Sequence, residues 1–264
     1  MQLIAIFFRL IDKSITQKDK RMKKAVLLMV VGMMALTSCR FNVSGIGSIE
    51  PSDNIVKKEY KLNKFNEVAT HVVANVKLVQ SEAKDGLVLL SAPDNYIDLF
   101  SFDSEGGKLD IRFVRNNINI HPEHVTITVY TSDLLKIMNT GAADVTLDCL
   151  DTDNLEVTNT GIGSFNLNKV QADKVYVKCS GVGSISIDGE TLDADFSCSG
   201  VGSINAQELK SNNVKANVTG VGSISCYASE YIDGKVTGVG GLSYAGHPKK
   251  KDLNKPMVGG ISEI

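Results

Sequence analysis

Tryptophan is absent from the 264 residues, and aromatic residues together make up only 6%. So few rings leave no obvious stacking platform of the kind a sugar-binding face uses. Long apolar runs are missing too: the stretch Ala25 to Leu36 falls well short of the ~20 residues that a membrane-spanning helix needs. The second half has no apolar stripe with a 3.6-residue period, which excludes amphipathic helices there. Basic charge is scarce beyond the N-terminus. Seven of the 28 Lys and Arg residues and two of the 30 Asp and Glu residues fall in 1–38. The remainder holds 21 basic and 28 acidic residues, a formal net of −7. That balance argues against nucleic acid or anionic lipid as a partner.

The N-terminus reads as a targeting signal. Met22-Lys23-Lys24, the apolar run to Leu36 and the small residues Thr37-Ser38 form a secretory signal peptide over 22–38. Residues 1–21 precede it and are expected to be an over-long gene start. Leu36-Thr37-Ser38-Cys39 resembles the bacterial lipobox, in which the cysteine is acylated and becomes the mature N-terminus. More than one acyl chain on Cys39 would give a stable membrane anchor. Residues 39–54 are expected to be a tether; they include "SGIGSI" (44–49), which lies too far from the repeats described next to count as a turn.

Glycine, with 23 residues, is where the chain is rich. The phrase [ST]-G-x-G-S-[IF] recurs with its leading glycine at 161, 181, 200 and 220, and looser versions place glycines at 141 and 238, a period of about twenty. Aligned on that glycine, one column reads Val145, Phe165, Ile185, Ile204, Ile224, Leu242. A second reads Leu147, Leu167, Ile187, Ala206, Cys226, Tyr244. The columns beside them are polar: Ser164, Ser184, Ser203 and Ser223, then Asn166, Ser186, Asn205 and Ser225. This alternation is the signature of a strand with one buried face. A second strand per repeat follows the same rule at Leu155/Val157, Val175/Val177 and Val214/Ala216/Val218. No repeat could bury its apolar face alone, so the repeats must stack. The pattern predicts an all-β fold, a right-handed parallel β-helix with about 20 residues per turn.

In each phrase the glycines are expected to take φ > 0 at a corner. The residue between them (Ile162, Val182, Val201, Val221, Val239) is expected to point into the core. Outside, stacked Ser and Asn would form hydrogen-bonded ladders. The first half alternates less regularly but compatibly, so one continuous solenoid is expected over 55–248, of nine or ten turns. A C-terminal tail would occupy 249–264.

The segments "KFNEVATHVVANVKLVQ" (64–80), "LLKIMNTGAADVTL" (134–147), the glycine phrases and the closing "GLSYAGHP" (241–248) are similar to the GIN domain, the autotransporter-adhesin head family of envelope proteins in Bacteroidetes and relatives. The resemblance implies a β-helix and an envelope location, and carries no catalytic residues. It tilts placement towards the periplasmic face of the outer membrane, because no acidic run follows Cys39.

Chemical motifs are few. Gly181-Val182-Gly183 lacks the third glycine of a dinucleotide loop and no helix follows it. Calcium β-rolls need a nine-residue glycine-aspartate repeat that is not there. His121-Pro122-Glu123-His124 is broken by proline and reads as a solvated turn rather than a metal site. No cofactor is expected. Cys179 and Cys198 share a column and would stack one rung apart, within disulfide reach, yet their parallel side chains suit two buried thiols better. Cys226 fills an apolar column. The rival to a non-catalytic binding scaffold is a carbohydrate-active β-helix enzyme, a lyase or hydrolase. It would need paired carboxylates from adjacent turns, and none is evident. The outward Ser and Asn ladders are the candidate binding surface, for a protein or glycan partner.

Overall fold

The computed structural model describes residues 48–254 and 259–264. The expected gene-start extension, signal peptide and Cys39 lie outside these residues. Strands account for 69% of the described residues, stacked in parallel as a β-solenoid with about six turns spaced roughly 20 residues apart. In chain order they are β1 (Ile55–Lys61), β2 (Glu67–Thr70), β3 (Val73–Gln80), β4 (Leu87–Pro93), β5 (Phe100–Glu105), β6 (Lys108–Phe113), β7 (Thr126–Thr131), β8 (Lys136–Asn139) and β9 (Ala142–Leu147). The longer strands follow: β10 (Leu150–Asn159), β11 (Phe165–Cys179), β12 (Val182–Cys198), β13 (Val201–Val218) and β14 (Val221–Val236). Three short ones, β15 (Gly241–Ala245), β16 (Lys250–Asn254) and β17 (Gly260–Glu263), close the chain.

The regular half follows from the alternation. Phe165 pairs with Ile185, Ile185 with Ile204, Ile204 with Ile224 and Ile224 with Leu242, each directly above the last. All five are 0–1% exposed. Stacking like on like covers the apolar face of every rung with that of its neighbours, stabilising the fold by ~1.5–3 kcal/mol per large side chain buried. The expected C-terminal tail continues this stack, with β16 pairing with β14 and β17 with β15.

The first half departs from a simple solenoid. β2 lies between β6 and β8, and β3 between β7 and β9, all in parallel. The chain thus enters at the second rung, steps back to lay down the first, then jumps over itself to build the third. The single continuous winding expected from the sequence is corrected here: the first three rungs are stacked out of chain order. Antiparallel strands finish this end: β5 pairs with β6, β4 with β7, and β1 with β4. The body also starts earlier than Ile55. Ile49 bridges Ile120, and Tyr96 Oη donates a 2.5 Å hydrogen bond to the Ile49 carbonyl. The edge strand β1 carries Lys57, Lys58 and Lys61, and β16 carries Lys250 and Lys251. Lysines on an edge discourage further strands from adding to it.

The corner explains the glycines, though not as expected. Only the second glycine of two phrases lies at strongly positive φ, Gly163 at 132° and Gly183 at 144°. The general reason is crowding. A Cβ on Gly181, Gly200, Gly220 or Gly238 would strike the carbonyl oxygen of the corner glycine one rung below. The residue between the glycines does not enter the core. Ile162, Val182, Val201, Val221 and Val239 are 62, 51, 57, 56 and 61% exposed. With the backbone this tightly nested at both flanking glycines, there is no room inside the corner for a branched side chain.

Behind the corner runs a buried column that includes Asn139, Asn159, Cys179 and Cys198, all 0% exposed. Asn139 Nδ2 donates to Asn159 Oδ1 and to the Ile162 carbonyl, both at 3.1 Å, and Asn159 Nδ2 donates to the Gly163 carbonyl at 3.1 Å. The Cys179 and Cys198 thiols reach the equivalent carbonyls, of Gly183 at 3.8 Å and Gly202 at 3.5 Å. Both cysteines are free. They therefore do more than fill space, because each clasps its own corner as Asn159 does in the rung before.

Two substitutions separate these roles. Gly200→Ala is expected to destabilise the fold by roughly 3 kcal/mol through overpacking against fixed backbone. Its neighbour change Val201→Thr is expected to alter stability by no more than ~0.5 kcal/mol, as for other exposed sites. Urea titration followed by circular dichroism measures both. Asn159→Leu is expected to cost ~1–3 kcal/mol by leaving the Gly163 carbonyl and the Asn139 amide short of partners.

Candidate functional site

The predicted Ser and Asn columns are stacked in register on the surface. Ser184, Ser203 and Ser223 pair in succession, as do Asn166, Ser186, Asn205 and Ser225. Each is exposed or half-buried. The expected continuous ladder of hydrogen bonds is not formed. Among the described residues the first column holds one such bond, Ser184 Oγ to Ser164 Oγ at 3.4 Å, and the second holds one only past Ser225, where Ser243 Oγ and Ser262 Oγ lie 3.4 Å apart. A rung spacing of ~4.8 Å is too long for hydroxyls to touch unless both rotamers lean towards each other.

Next to the Ser164 column lies the exposed apolar row of Ile162, Val182, Val201, Val221 and Val239, and beyond it the row Thr160, Ser180, Ser199, Thr219 and Thr237. Ser199 Oγ donates to Ser180 Oγ at 3.2 Å. The result is a ridge with a branched apolar crest, glycine furrows on both flanks, and hydroxyls outside those. No charged residue falls within 158–166, 179–187, 198–206, 218–226 or 236–245.

A second surface has no signal in the linear order of residues. Between two outward columns of the other strand runs a groove of about 580 Å³. Asp193, Asn213 and Tyr231 succeed one another on one wall, and Tyr176, Asp195, Lys215 and Asp233 on the other. Asn213 Nδ2 donates to Asp193 Oδ1 at 2.9 Å, and Lys215 Nζ lies 3.9 Å from Asp195 Oδ2. Burial pushes the Asp195 carboxyl above its usual range; Lys215 opposes the shift and Asp233 reinforces it. Tyr176 is 37% exposed, and the Lys250 ammonium sits 5.1 Å from the Tyr231 ring centre. The groove thus joins two rings to carboxylates, an amide and an amine, a set suited to a polar ligand. Composition hid it, since the rings are few. In the sequence Tyr176 and Tyr231 are 55 residues apart, and only the rung register brings them to one groove.

A third cluster joins the intercalated rungs. His71 Nδ1 lies 2.5 Å from Thr140 Oγ1, and His71 Nε2 lies 3.0 Å from Asp110 Oδ1. Hydroxyl, imidazole and carboxylate in line have the layout of a nucleophilic triad. The backbone around them argues otherwise. The Thr140 N–H is given to the Thr70 carbonyl and the Gly141 N–H to Asn139 Oδ1, so neither is free to hold an oxyanion. Asp110 is also shared with Arg112 at 2.7 Å and Lys108 at 3.3 Å. Burial would raise its carboxyl, but His71 and Lys108 outweigh that and hold it below the usual range. The cluster is a staple across three successive rungs.

The remaining candidates stay apart. His121 Nε2 meets Ser48 Oγ at 3.0 Å and Glu50 at 3.6 Å. Among the described residues no group of three or more His, Cys, Asp and Glu is placed to hold a metal ion. The Cys198 thiol beside it, together with burial, drives the Cys179 thiol far above its ordinary value, and burial pushes Cys226 to about 12. Contact with Cys179 lowers the Cys198 thiol to about 7, but Cys179, Cys198 and Cys226 are all 0% exposed, out of reach of a substrate.

Fold and surfaces together define a parallel β-solenoid that presents stacked side-chain columns. Residues 64–248 match the family described as "Putative auto-transporter adhesin, head GIN domain", and the chain belongs to that family. A search of curated proteins finds no match. Among solved structures, a putative adhesin from Bacteroides fragilis is 30% identical with a TM-score of 0.77, covering 82% of this chain and 100% of that one. A putative lipid binding protein from Parabacteroides distasonis is 22% identical with a TM-score of 0.65, covering 83% and 100%. A putative adhesin from Parabacteroides merdae is 18% identical with a TM-score of 0.58, covering 82% and 99%. The last two, below a quarter identical, speak for the fold alone.

Two neighbouring charges set the groove's electrostatics. Lys215→Gln is expected to raise the titration midpoint of the Asp195 carboxyl further, and Asp233→Asn to lower it, as followed by carboxyl-carbon NMR. Because the folded value is raised, ionising Asp195 weakens the fold: its contribution to stability declines as pH rises through the carboxylate range.

Proposed function

We propose that this protein is a lipid-anchored component of the bacterial envelope that displays a rigid, non-catalytic β-solenoid for adhesion or partner binding. The observation that carries the reading is the unbroken stack: nine parallel strands deep on each face, from β6 to β16 and from β7 to β17. Such a body holds surface side chains in fixed rows, which suits recognition of an extended partner. Membership in the adhesin-head family supports it. Cys39, as the acylated residue, would tie the body to the outer membrane, with the periplasmic face favoured. The partner is a protein or a glycan; the outward columns Ser164 to Ser223 and Asn166 to Ser225 and the Tyr176 groove are the surfaces on offer.

A carbohydrate-active enzyme is the second reading, and the groove is what favours it. Asp195 and Asp233 stand two rungs apart, on the order of 10 Å, one of them held towards its protonated form. Lys215 between them neutralises charge at the point where an acid and a base would have to cooperate, which weighs against it.

Metabolic labelling with a fatty-acid probe is expected to mark the wild-type protein and not Cys39→Ala, with outer-membrane fractionation lost in the variant. Label on both, or on neither, would sink the anchor. Release of reducing ends from envelope polysaccharides, abolished by Asp195→Asn, would replace the binding reading with the enzymatic one.

A further inference from the structure

The apolar crest is the feature that neither the core nor the groove explains. Five successive rungs expose a β-branched side chain by half or more, in register: Ile162 bridges Val182, Val182 pairs with Val201 and Val201 with Val221, while the Val239 N–H bonds the Gly220 carbonyl. Single exposed apolar residues need no explanation, but a contiguous row of them marks an interaction surface. Burial inside the corner is closed to them, so the row is fixed on the outside by the same backbone nesting that requires the glycines.

We infer that the crest is a self-association surface, whose occupant is a second copy of this chain. Periodicity is the first argument. A partner can engage all five crest residues only if its own contacts repeat at the ~4.8 Å rung spacing, and a second copy does so by construction. Shape is the second. Glycine columns flank the crest on either side, Gly161 to Gly238 and Gly163 to Gly240, leaving furrows one side chain wide. Two copies related by a two-fold axis can each seat the crest in the other's furrow, the self-complementary contact that such symmetry demands. Charge is the third. The chain is acidic overall, formally −2, and copies repel, but the crest and its flanks carry no charge in any of the five rungs.

Area sets the strength. Five rungs at ~4.8 Å and a strip about five residues wide give roughly 400 Å² per copy, about half of what a stable interface buries. The contact is therefore weak between two free molecules. It becomes effective when many copies are arrayed on one surface, where the second and later contacts are intramolecular. The inference rests on the reading of the solenoid as a binding scaffold, but not on the anchor.

The test uses the purified full chain carrying Cys39→Ala, so that no lipid is attached, in sedimentation equilibrium from micromolar to millimolar concentration. Reversible dimerisation is expected. The triple variants Val182→Lys/Val201→Lys/Val221→Lys and Val182→Glu/Val201→Glu/Val221→Glu should each associate about tenfold more weakly or not at all, with unchanged melting. Mixing the two should restore association as a heterodimer, which a merely structural role of these residues would not produce. Should either charged set unfold the chain, the matching Val→Thr triple keeps the strand and is expected to weaken association in the same direction. A chain that stays monomeric throughout, or dimerises equally in all variants, overturns the inference. So does crest-dependent binding of the monomer to phosphatidylcholine vesicles, which would make the row a membrane contact. None of these failures touches the anchor, which the Cys39 labelling tests separately.

Discussion

Everything in this solenoid depends on how closely the backbone of one rung lies on the next at the glycine corner. At Gly181, Gly200, Gly220 and Gly238 the corner carbonyl below occupies the space a side chain would need. Backbone hydrogen bonds set the ~4.8 Å rung spacing, glycine lets the corner keep it, and the spacing sets the rest. Phe165, Ile185, Ile204 and Ile224 can cover one another only because their Cα atoms are held directly in line. The same nesting turns the residue between the glycines outward, so the interior packing and the surface crest have one cause.

Polar groups buried at the corner support it without breaking the apolar core. Asn139 and Asn159 satisfy each other and the carbonyls that the bend leaves unpaired, which is why two amides can sit at 0% exposure. One rung further on, Cys179 and Cys198 take the place with a weaker sulfur contact. The change from amide to thiol trades hydrogen-bond strength for an easier fit in the apolar interior.

At the opposite end the fold solves a different problem. A parallel stack exposes a raw sheet edge wherever it stops. Here the first rungs are laid out of order, β2 and β3 being enclosed by β6–β9, and antiparallel β1, β4 and β5 finish the edge. His71 reaches from Asp110 to Thr140 across that irregular join. Long-range insertion of this kind leaves the entry strands held on both sides, so the N-terminal end cannot fray one rung at a time.

The period of twenty, the two apolar columns and the two polar ones were legible because in–out alternation is a local property of a strand, carried by Val145 or Ile224 whatever their neighbours. Parallel stacking was legible as well, since no repeat could bury Leu167 or Val177 alone. The direction of Val182 and its equivalents was not: between two glycines the backbone has no local preference, and contact with the rungs on either side decides. The order of the first three rungs, the role of Asn139 and Asn159, and the placing of Tyr176, Asp195, Lys215 and Tyr231 along one groove were likewise set by register between distant segments. The sequence alone therefore determined the rung, its period and its buried face. Only the tertiary structure decided the order in which rungs stack and what they bring together on the surface, because both depend on backbone contacts between residues that the chain itself keeps far apart.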